Sequence, residues 1–356
     1  MKTLGDLAHG RDNNLNLIRM IAALAVLVSH AFPISLGAGT RQPFETLTGH
    51  SLGGLAVSVF FVISGYLIAE SFARSKSWQD FLVARVLRLW PALVLSLLIV
   101  AFVMGPLVGR LATGAYLSHP ETWTFLLYNT ALYDPQYTLP GVFKDNIYPD
   151  VEGSIWTLFY EVVCYMGIFC AGLLGLLRHK WLMSGALLGV AVFYVGSEVL
   201  DPALPRKAEN MILLALPFAI GTALWVWKDR ITLSLLGVSG LLVLTVALAR
   251  SPAFDLSLMA FLAYTTFWLA YIPAGRIRAY NRLGDYSYGV YIYAFPMQGL
   301  AVWIVSGGTM DPYLNMVLAF PLTLVPSILS WHLVEKPALA QRKRLGAWLS
   351  QRKTAA

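Results

Sequence analysis

The sequence predicts an all-α, polytopic integral membrane protein with about ten transmembrane helices. Hydrophobic residues make up 57% of the 356-residue chain and charged residues only 13%, whereas about a quarter of a typical soluble domain is charged. The mean hydropathy is +0.63, and apolar runs long enough to cross a bilayer recur along the chain. These observations place most of the hydrophobic surface in lipid rather than in one globular core.

A pass for apolar runs of roughly 17–25 residues separates the chain into ten predicted spans. The sequence contains prolines within some of these runs, which membrane helices tolerate when neighbouring groups satisfy the freed backbone. The predicted spans lie near 15–35, 52–70, 89–109, 154–177, 181–199, 211–227, 231–249, 254–273, 284–305 and 313–333.

The basic residues predict the orientation of these spans. With the N-terminus inside and the spans alternating, twenty of the 26 lysines and arginines fall in inside segments and six in outside segments. Cytoplasmic loops of membrane proteins carry such an excess. We therefore expect both termini to be cytoplasmic, and the net charge of +7 follows from topology. Nucleic-acid binding is not expected, because it would need a basic face away from the membrane.

We expect one transmembrane domain over residues 1–340 and a basic cytoplasmic tail over 341–356. No cleavable signal peptide is expected, because the first apolar run is too long for one. Cys164 and Cys170 lie six residues apart on one predicted helix, point in different directions and should not form a disulfide. The histidines are scattered, so no metal site and no permanently bound cofactor are expected.

The longest outside segment, about 110–153, is rich in Asp, Glu, Tyr and Pro. It could cover the outer mouth of a cavity or be a solvated loop, and the sequence leaves both open.

The first predicted span, LNLIRMIAALAVLVSH (residues 15–30), carries Arg19 and His30. Eleven residues bring them to the same helix face, about 16 Å apart along the axis. His30 lies in the outer half of the span. A membrane histidine can simply hydrogen-bond a neighbouring helix, but ionisable residues inside a membrane are candidates for function.

Arg85 and Arg88, in FLVARVLRLWP (81–91), precede the third predicted span on the cytoplasmic side and share a helix face. They could simply enforce topology. Together with Arg19 at the same membrane level, they could also bind phosphates, for which guanidinium groups provide planar, bidentate hydrogen bonds.

Glu161, in GSIWTLFYEVVCY (153–165), lies about 12 Å below the outer end of its span, and His30 lies about 7 Å below the end of its own. Glu161 could pair with an arginine or be neutralised by burial. Beside His30, a carboxylate would orient the imidazole and stabilise its charged form.

Two further stretches carry weaker signals. Ser64 and Gly65 in VSVFFVISGYLI (57–68) predict close helix packing. The tyrosines of LGDYSYGVYIYAFP (283–296) predict anchoring at the membrane interface.

In order along nearly the whole chain, these motifs resemble the membrane-bound acyltransferase 3 family, whose members are O-acyltransferases. The matching stretches are LNLIRMIAALAVLVSH, VFFVISGYLI, RVLRLWP, SIWTLFYE, LGDYSYGVYIYAFP and WHLVEKP (331–337). Two positions depart from the family pattern. Asn16 stands where the family often has Asp, and Ala294 stands where it often has a His before x-Pro. This chain has no histidine at position 294, so we assign the role of that family histidine to no residue.

The resemblance implies transfer of an acyl group, usually acetyl, from cytoplasmic acyl-CoA to a hydroxyl of a glycan or other exported acceptor. Arg19, Arg85 and Arg88 would bind the phosphates of CoA, the donor substrate. The pantetheine arm would then bring the thioester to His30, which would act as general base with Glu161 orienting it, or would accept the acyl group covalently. No extracellular domain is expected after the last span, so transfer would be direct or to a separate partner. The expected location is the bacterial inner membrane.

Two rival functions are a transporter or flippase for a lipid-linked sugar, and a glycan polymerase or ligase. A transporter often has paired halves with matching interrupted helices, and the sequence shows no such repeat. A polymerase would not need arginines aligned below a buried histidine. The sequence indicates neither the acceptor and the acyl chain length nor the oligomeric state.

Overall fold

The computed structural model describes residues 2–8, 10, 12–200, 203–342 and 344–345. These residues are folded mainly into α-helices, as expected for a chain whose backbone must satisfy its hydrogen bonds within lipid. Ten apolar helices, labelled α1 to α10 in chain order, are Leu15–Leu36, Leu52–Arg74, Trp78–Ile99, Trp156–Leu173, Lys180–Leu200, Arg206–Val226, Leu235–Ala247, Phe254–Tyr271, Ser287–Val305 and Pro312–Ser330. The chain is a multi-pass α-helical membrane protein.

Within the described residues, nine of the ten helices are long and apolar enough to cross a membrane. The exception is α7, which has 13 residues, so the seventh predicted span is shorter than expected. Two helices are extended by π-helical turns. α3 continues through Val100–Met104 to Val108, and α10 continues through Trp331–Glu335 to Ala340.

The start of α3 corrects one prediction. The helix begins at Trp78, eleven residues before the predicted start of the third span. Arg85 and Arg88 therefore do not precede the helix but lie within it, on its second and third turns. Hydropathy dips at these charged residues, whereas the helical backbone continues through them.

The chain divides into two compact units. The first unit comprises Met1–Arg19, Val57–Trp78 and Tyr160–Gly284, and the second comprises Met20–Ala56, Gln79–Phe159 and Asp285–Ala356. The single domain predicted over 1–340 stays a prediction. Much of the tail predicted at 341–356, namely residues 343 and 346–356, lies outside the described residues.

The first unit contains α5 to α8 with most of α2 and α4. Its core is formed by Tyr66, Phe267 and neighbouring apolar side chains, and the two rings lie 4.7 Å apart. A Cβ atom at Gly65 would overlap the carbonyl group of Phe218 in α6, and one at Gly221 would overlap the carbonyl of Val62. The prediction that Gly65 serves close helix packing is therefore confirmed.

The second unit contains α3, α9, α10 and most of α1. Helix α9 is apolar on all sides and is buried along most of its length, as expected for a helix that is surrounded by protein. It packs on α10, where Gly289 approaches Ser327.

The segment between α3 and α4 also belongs to the second unit. It forms helices Thr113–Ser118 and Pro120–Ala131, and it then places Phe143, Val151 and Glu152 in the interior. The segment is therefore not simply a solvated loop. Its second half contributes to the core of the second unit.

Candidate active site

His30 lies near the end of α1, eleven residues after Arg19 on the same helix. Its Nδ1 atom is buried and has no hydrogen-bond partner among the described residues. Arg19 is half-buried. Helix α1 therefore carries a buried imidazole nitrogen in its second half and a guanidinium group about one turn from its N-terminus, as the sequence predicts.

The aromatic ring of Phe295 in α9 covers one side of His30. The two ring centroids are 5.4 Å apart with an interplanar angle of 78°. One turn before His30, the carbonyl oxygen of Leu27 accepts a 2.8 Å hydrogen bond from Nε2 of Gln298. Residues 295 and 298 of α9 therefore lie against the stretch of α1 from Leu27 to His30.

Arg88 in α3 forms an ion pair with Asp285, which directly precedes α9. Arg88 Nη2 lies 2.6 Å from Asp285 Oδ2, and the other carboxylate oxygen accepts a 2.6 Å bond from the hydroxyl of Ser287. The Arg88 guanidinium carbon also lies 6.0 Å from the centre of the Tyr288 ring. Arg88 is thus held by a carboxylate that the sequence analysis did not identify.

Arg85 lies three residues earlier on α3 and is half-buried. Its guanidinium carbon lies 5.7 Å from the centre of the Phe81 ring, one turn earlier on the helix, in the geometry of a cation–π contact. The two arginines therefore have different surroundings, although they share a helix face.

Glu161 lies in the first unit, in α4. Its Oε1 accepts a 3.1 Å hydrogen bond from the hydroxyl of Ser64 in α2 and a short one from the hydroxyl of Tyr165, one turn further along α4. Ser64 belongs to the VFFVISGYLI motif, and its role as a hydrogen-bond donor to Glu161 was missed from the sequence. The signal was the hydroxyl next to Gly65, at a point where α2 comes close to its neighbours.

The structure thus places the five predicted site residues in two units. Arg19 and Glu161 belong to the first unit, and His30, Arg85 and Arg88 belong to the second. The pairing of His30 with Glu161, and the grouping of Arg19 with the two arginines of α3, stay predictions.

Glu152 is a second buried carboxyl that the sequence analysis did not single out. It is 0% exposed, and its Oε1 accepts hydrogen bonds from the backbone N–H groups of Gly153 (3.1 Å) and Ser154 (3.0 Å). Burial raises the pKa of this carboxyl to about 8, although the two backbone hydrogen bonds act in the opposite direction. Its Oε2 has no hydrogen-bond partner among the described residues. The signal in the sequence was a carboxylate directly before the GSIW motif.

Three of the four tyrosines of LGDYSYGVYIYAFP lie in the protein interior. Tyr288, Tyr291 and Tyr293 are buried in the second unit, so the prediction of interfacial anchoring is wrong for them. Tyr288 donates a 2.9 Å hydrogen bond to the carbonyl of Leu89 in α3. Tyr291 donates to the carbonyl of Ser154 at 2.8 Å, which fixes the segment before α4 against α9.

A family model described as an acyltransferase domain, acyltransferase 3, matches residues 12–332. The chain belongs to this acyltransferase family. It is therefore an O-acyltransferase that resides in a membrane, and the family resemblance drawn from the motifs is confirmed.

Two curated relatives of this acyltransferase match along almost their whole length. One is named O-acetyl transferase, from Shigella phage Sf6, and is 30% identical over 93% of this chain and 97% of its own. The other is named Nodulation protein 10, from Rhizobium leguminosarum bv. viciae, and is 27% identical over 96% of each chain. No solved structure matches this acyltransferase significantly.

The position where the family often has a late histidine is internal in this acyltransferase. Ala294 is 0% exposed and lies in the middle of α9. The methyl side chain of Ala294 cannot take part in proton transfer, so this chain has no equivalent of that histidine at this position.

Proposed function

We propose that this acyltransferase moves an acyl group, most simply acetyl, from cytoplasmic acyl-CoA to a hydroxyl of a cell-surface or exported glycan. We place it in the bacterial inner membrane with both termini in the cytoplasm. The name of the phage relative supports an acetyl group as cargo, and the distribution of basic residues supports the orientation.

One observation carries the proposal. His30 holds a ring nitrogen in the interior of the second unit without a protein hydrogen-bond partner among the described residues. A histidine that only joined helices would use its ring nitrogens for hydrogen bonds between them. A nitrogen that is left unbonded inside the protein is suited to take a proton from a substrate hydroxyl.

The donor would bind through the arginines. One guanidinium group can donate two parallel hydrogen bonds to two phosphate oxygens. CoA presents several phosphates at one end of an extended arm. Arg85 and Arg88 are candidates on α3, and Arg19 is a candidate on α1. The axial distance of about 16 Å from Arg19 to His30 is comparable to the reach of a pantetheine arm, so the thioester would arrive near the imidazole.

In the reaction, the acceptor hydroxyl oxygen would attack the thioester carbonyl carbon while its proton passes to His30. The carbon–sulfur bond would then break, and the leaving sulfur of CoA would take the proton from the imidazolium. Glu161 would stabilise the imidazolium, as the family resemblance implies. Alternatively, the imidazole nitrogen would itself attack the thioester carbonyl carbon, the carbon–sulfur bond would break and CoA would leave as its thiol with the ring proton. The acceptor hydroxyl would then attack the acyl-imidazole, and its proton would pass to the released ring nitrogen.

The experiment that tests the proposal has two parts. The purified protein should bind acetyl-CoA, as measured by calorimetry, and glycans of cells with the intact gene should carry acetyl groups that are missing from glycans of deletion cells. Mass spectrometry of the extracted glycans measures the second part. Unchanged glycan mass together with no binding of acetyl-CoA would contradict the proposal and favour a transporter, flippase or polymerase.

A further inference from the structure

Three buried amide side chains take part in hydrogen bonds at one turn of α9, the helix that packs on α1 near His30. Gln298 lies on this turn and donates from Nε2 to Leu27 in α1. Asn315 in α10 donates from Nδ2 to the carbonyl of Gln298 at 3.0 Å. Asn146, from the segment before α4, donates from Nδ2 to the carbonyl of Gly299 at 2.9 Å. All three side chains are 5% exposed or less.

The hydrogen bonds fix which way each amide points. A backbone carbonyl only accepts hydrogen bonds, so the NH₂ group of each amide has to face it. The oxygen of each amide then points elsewhere. Oε1 of Gln298, Oδ1 of Asn315 and Oδ1 of Asn146 are all buried without a hydrogen-bond partner among the described residues.

These amides are not needed to satisfy the helix backbone. The carbonyls of Leu27, Gln298 and Gly299 lie inside α1 and α9, where a carbonyl already accepts a bond from the N–H group four residues later. The amides therefore add second bonds to satisfied carbonyls. Apolar side chains would fill this interior without leaving three acceptors unbonded.

The Phe295 ring lies one turn before Gln298 on α9 and contacts both His30 and the segment before α4. The Phe295 ring occupies the space where a Cβ atom of Gly153 would lie, and the same ring packs on His30. The neighbouring Glu152 carboxyl keeps its proton near neutral pH, so its Oε2 is not counted among the acceptor oxygens.

We propose that Oε1 of Gln298, Oδ1 of Asn315 and Oδ1 of Asn146 form a subsite for the hydroxyl groups of the acceptor, next to His30. The proposal rests on the function proposed above. Oxygens that only accept hydrogen bonds are suited to a ligand that presents several donors, as a sugar with neighbouring hydroxyls does. The Phe295 ring would cover an apolar C–H face of the sugar. The acceptor class that fits is a polyhydroxyl compound and not a simple aliphatic alcohol.

The test uses the full-length protein in detergent, radiolabelled acetyl-CoA, and lipid-linked glycan extracted from cells that lack the gene. Gln298→Met and Asn315→Leu keep side-chain volume and remove the polar groups. We expect each to raise the KM for the glycan roughly tenfold or more, because a site built for hydroxyl donors discriminates strongly when they lose their partners. The KM for acetyl-CoA should stay near that of the wild type.

Thr323→Val is the matched control. Thr323 is also buried in α10, and its hydroxyl has no hydrogen-bond partner within the described structure, but it lies eight residues, or about 12 Å, beyond Asn315. This variant should keep the glycan KM of the wild type. Thermal unfolding of all three variants separates misfolding from loss of binding.

The outcomes distinguish the two proposals. A wild-type protein that binds acetyl-CoA but transfers no label to glycan would contradict the proposed function. A wild-type protein that transfers label, with both subsite variants folded and their glycan KM unchanged, would overturn the subsite alone. Equal KM changes in Thr323→Val and the subsite variants would also overturn it, because the effect would then be general loosening of α10.

Discussion

Arg88 Nη2 lies 2.6 Å from Asp285 Oδ2, and the two side chains are 16% and 12% exposed. The pair joins α3 to the start of α9, the buried helix of the second unit. A carboxylate at this position has two consequences. It compensates the charge of Arg88 in the interior, and it competes with any phosphate for the same guanidinium group.

The first consequence predicts a stability difference. Arg88→Ala should lower the melting temperature, because it removes the cation that pairs with the Asp285 carboxylate in a poorly solvated place. Removing one partner of a buried pair typically costs about 3–5 kcal/mol. The double variant Arg88→Ala, Asp285→Asn should regain part of this loss, since no uncompensated charge remains. Thermal unfolding in detergent measures both, and a double variant less stable than Arg88→Ala would contradict the prediction.

Donor binding should depend on Arg85 with little effect on stability. Arg85→Ala removes a half-buried guanidinium from the helix face shared with Arg88, and loss of a charge-assisted hydrogen bond typically costs about 1.5–3 kcal/mol, or roughly tenfold and more in affinity. Arg85→Lys should restore binding only in part, since an ammonium group lacks the planar fork. Calorimetry with acetyl-CoA measures this. The exposed Arg110→Ala is the control, and equal affinities in all the variants would assign Arg85 to topology.

The chemical step should depend on His30. His30→Ala should abolish acyl transfer and leave acetyl-CoA binding intact, because general-base catalysis contributes about 10²–10⁴-fold and the phosphates of CoA would bind at the arginines rather than at the ring. Glu161→Gln should lower the rate less, since the amide still accepts from Ser64 but lacks the charge. If the two residues act as one unit, the double variant should be no slower than His30→Ala alone. A folded His30→Ala protein with near-normal transfer would show that His30 is a packing residue.

The sequence predicts the helices well and their partners poorly. Nine spans follow from apolar runs because length and hydropathy are local properties. The start of α3 was missed because Asp80, Arg85 and Arg88 lower the local hydropathy. In the structure, Asp80 accepts two hydrogen bonds from Arg342 at 3.0 and 3.1 Å, and paired charges do not interrupt a helix. Such partners lie far apart in the chain, so no periodicity reveals them.

The residues of the candidate site were likewise predicted only in part from the sequence. His30, Glu161 and the arginines were found because charge within an apolar run is conspicuous. Glu152 was missed because it precedes its span, where a carboxylate is ordinary in a solvated segment. The segment that carries it packs into the interior, where the Phe295 ring lies against Gly153, and such a tertiary contact is not visible in the local sequence.

Glu152 predicts a pH dependence of stability. Its pKa is about 8 in the folded protein, against an ordinary value of 4.5. Between these values the unfolded chain releases the proton and the folded protein keeps it, so the folded state binds more protons. The free energy of unfolding should therefore fall as the pH rises from about 5 to about 8. Glu152→Gln should show a shallower fall, as measured by melting temperature against pH. Glu121→Gln, at an exposed carboxylate, is the control and should follow the wild type.

The short helix α7 predicts the final test, which concerns topology. Its 13 residues span about 20 Å, less than the roughly 30 Å of a hydrocarbon core. Its apolar side chains are nevertheless exposed in the structure, as Leu236 (82%) and Val243 (68%) show, which fits contact with lipid. The bilayer can thin locally around a short helix at modest cost.

We expect α7 to cross the membrane. If it did not, the segment between α8 and α9 would lie outside together with Arg276, Arg278 and Arg282, against the positive-inside rule. The test is cysteine labelling in intact cells, in a background with Cys164 and Cys170 replaced by serine. Arg250→Cys should react with a membrane-impermeant maleimide, and Arg276→Cys should react only after the cells are permeabilised. Labelling of Arg276→Cys in intact cells would mean that α7 does not cross and that the C-terminus lies outside.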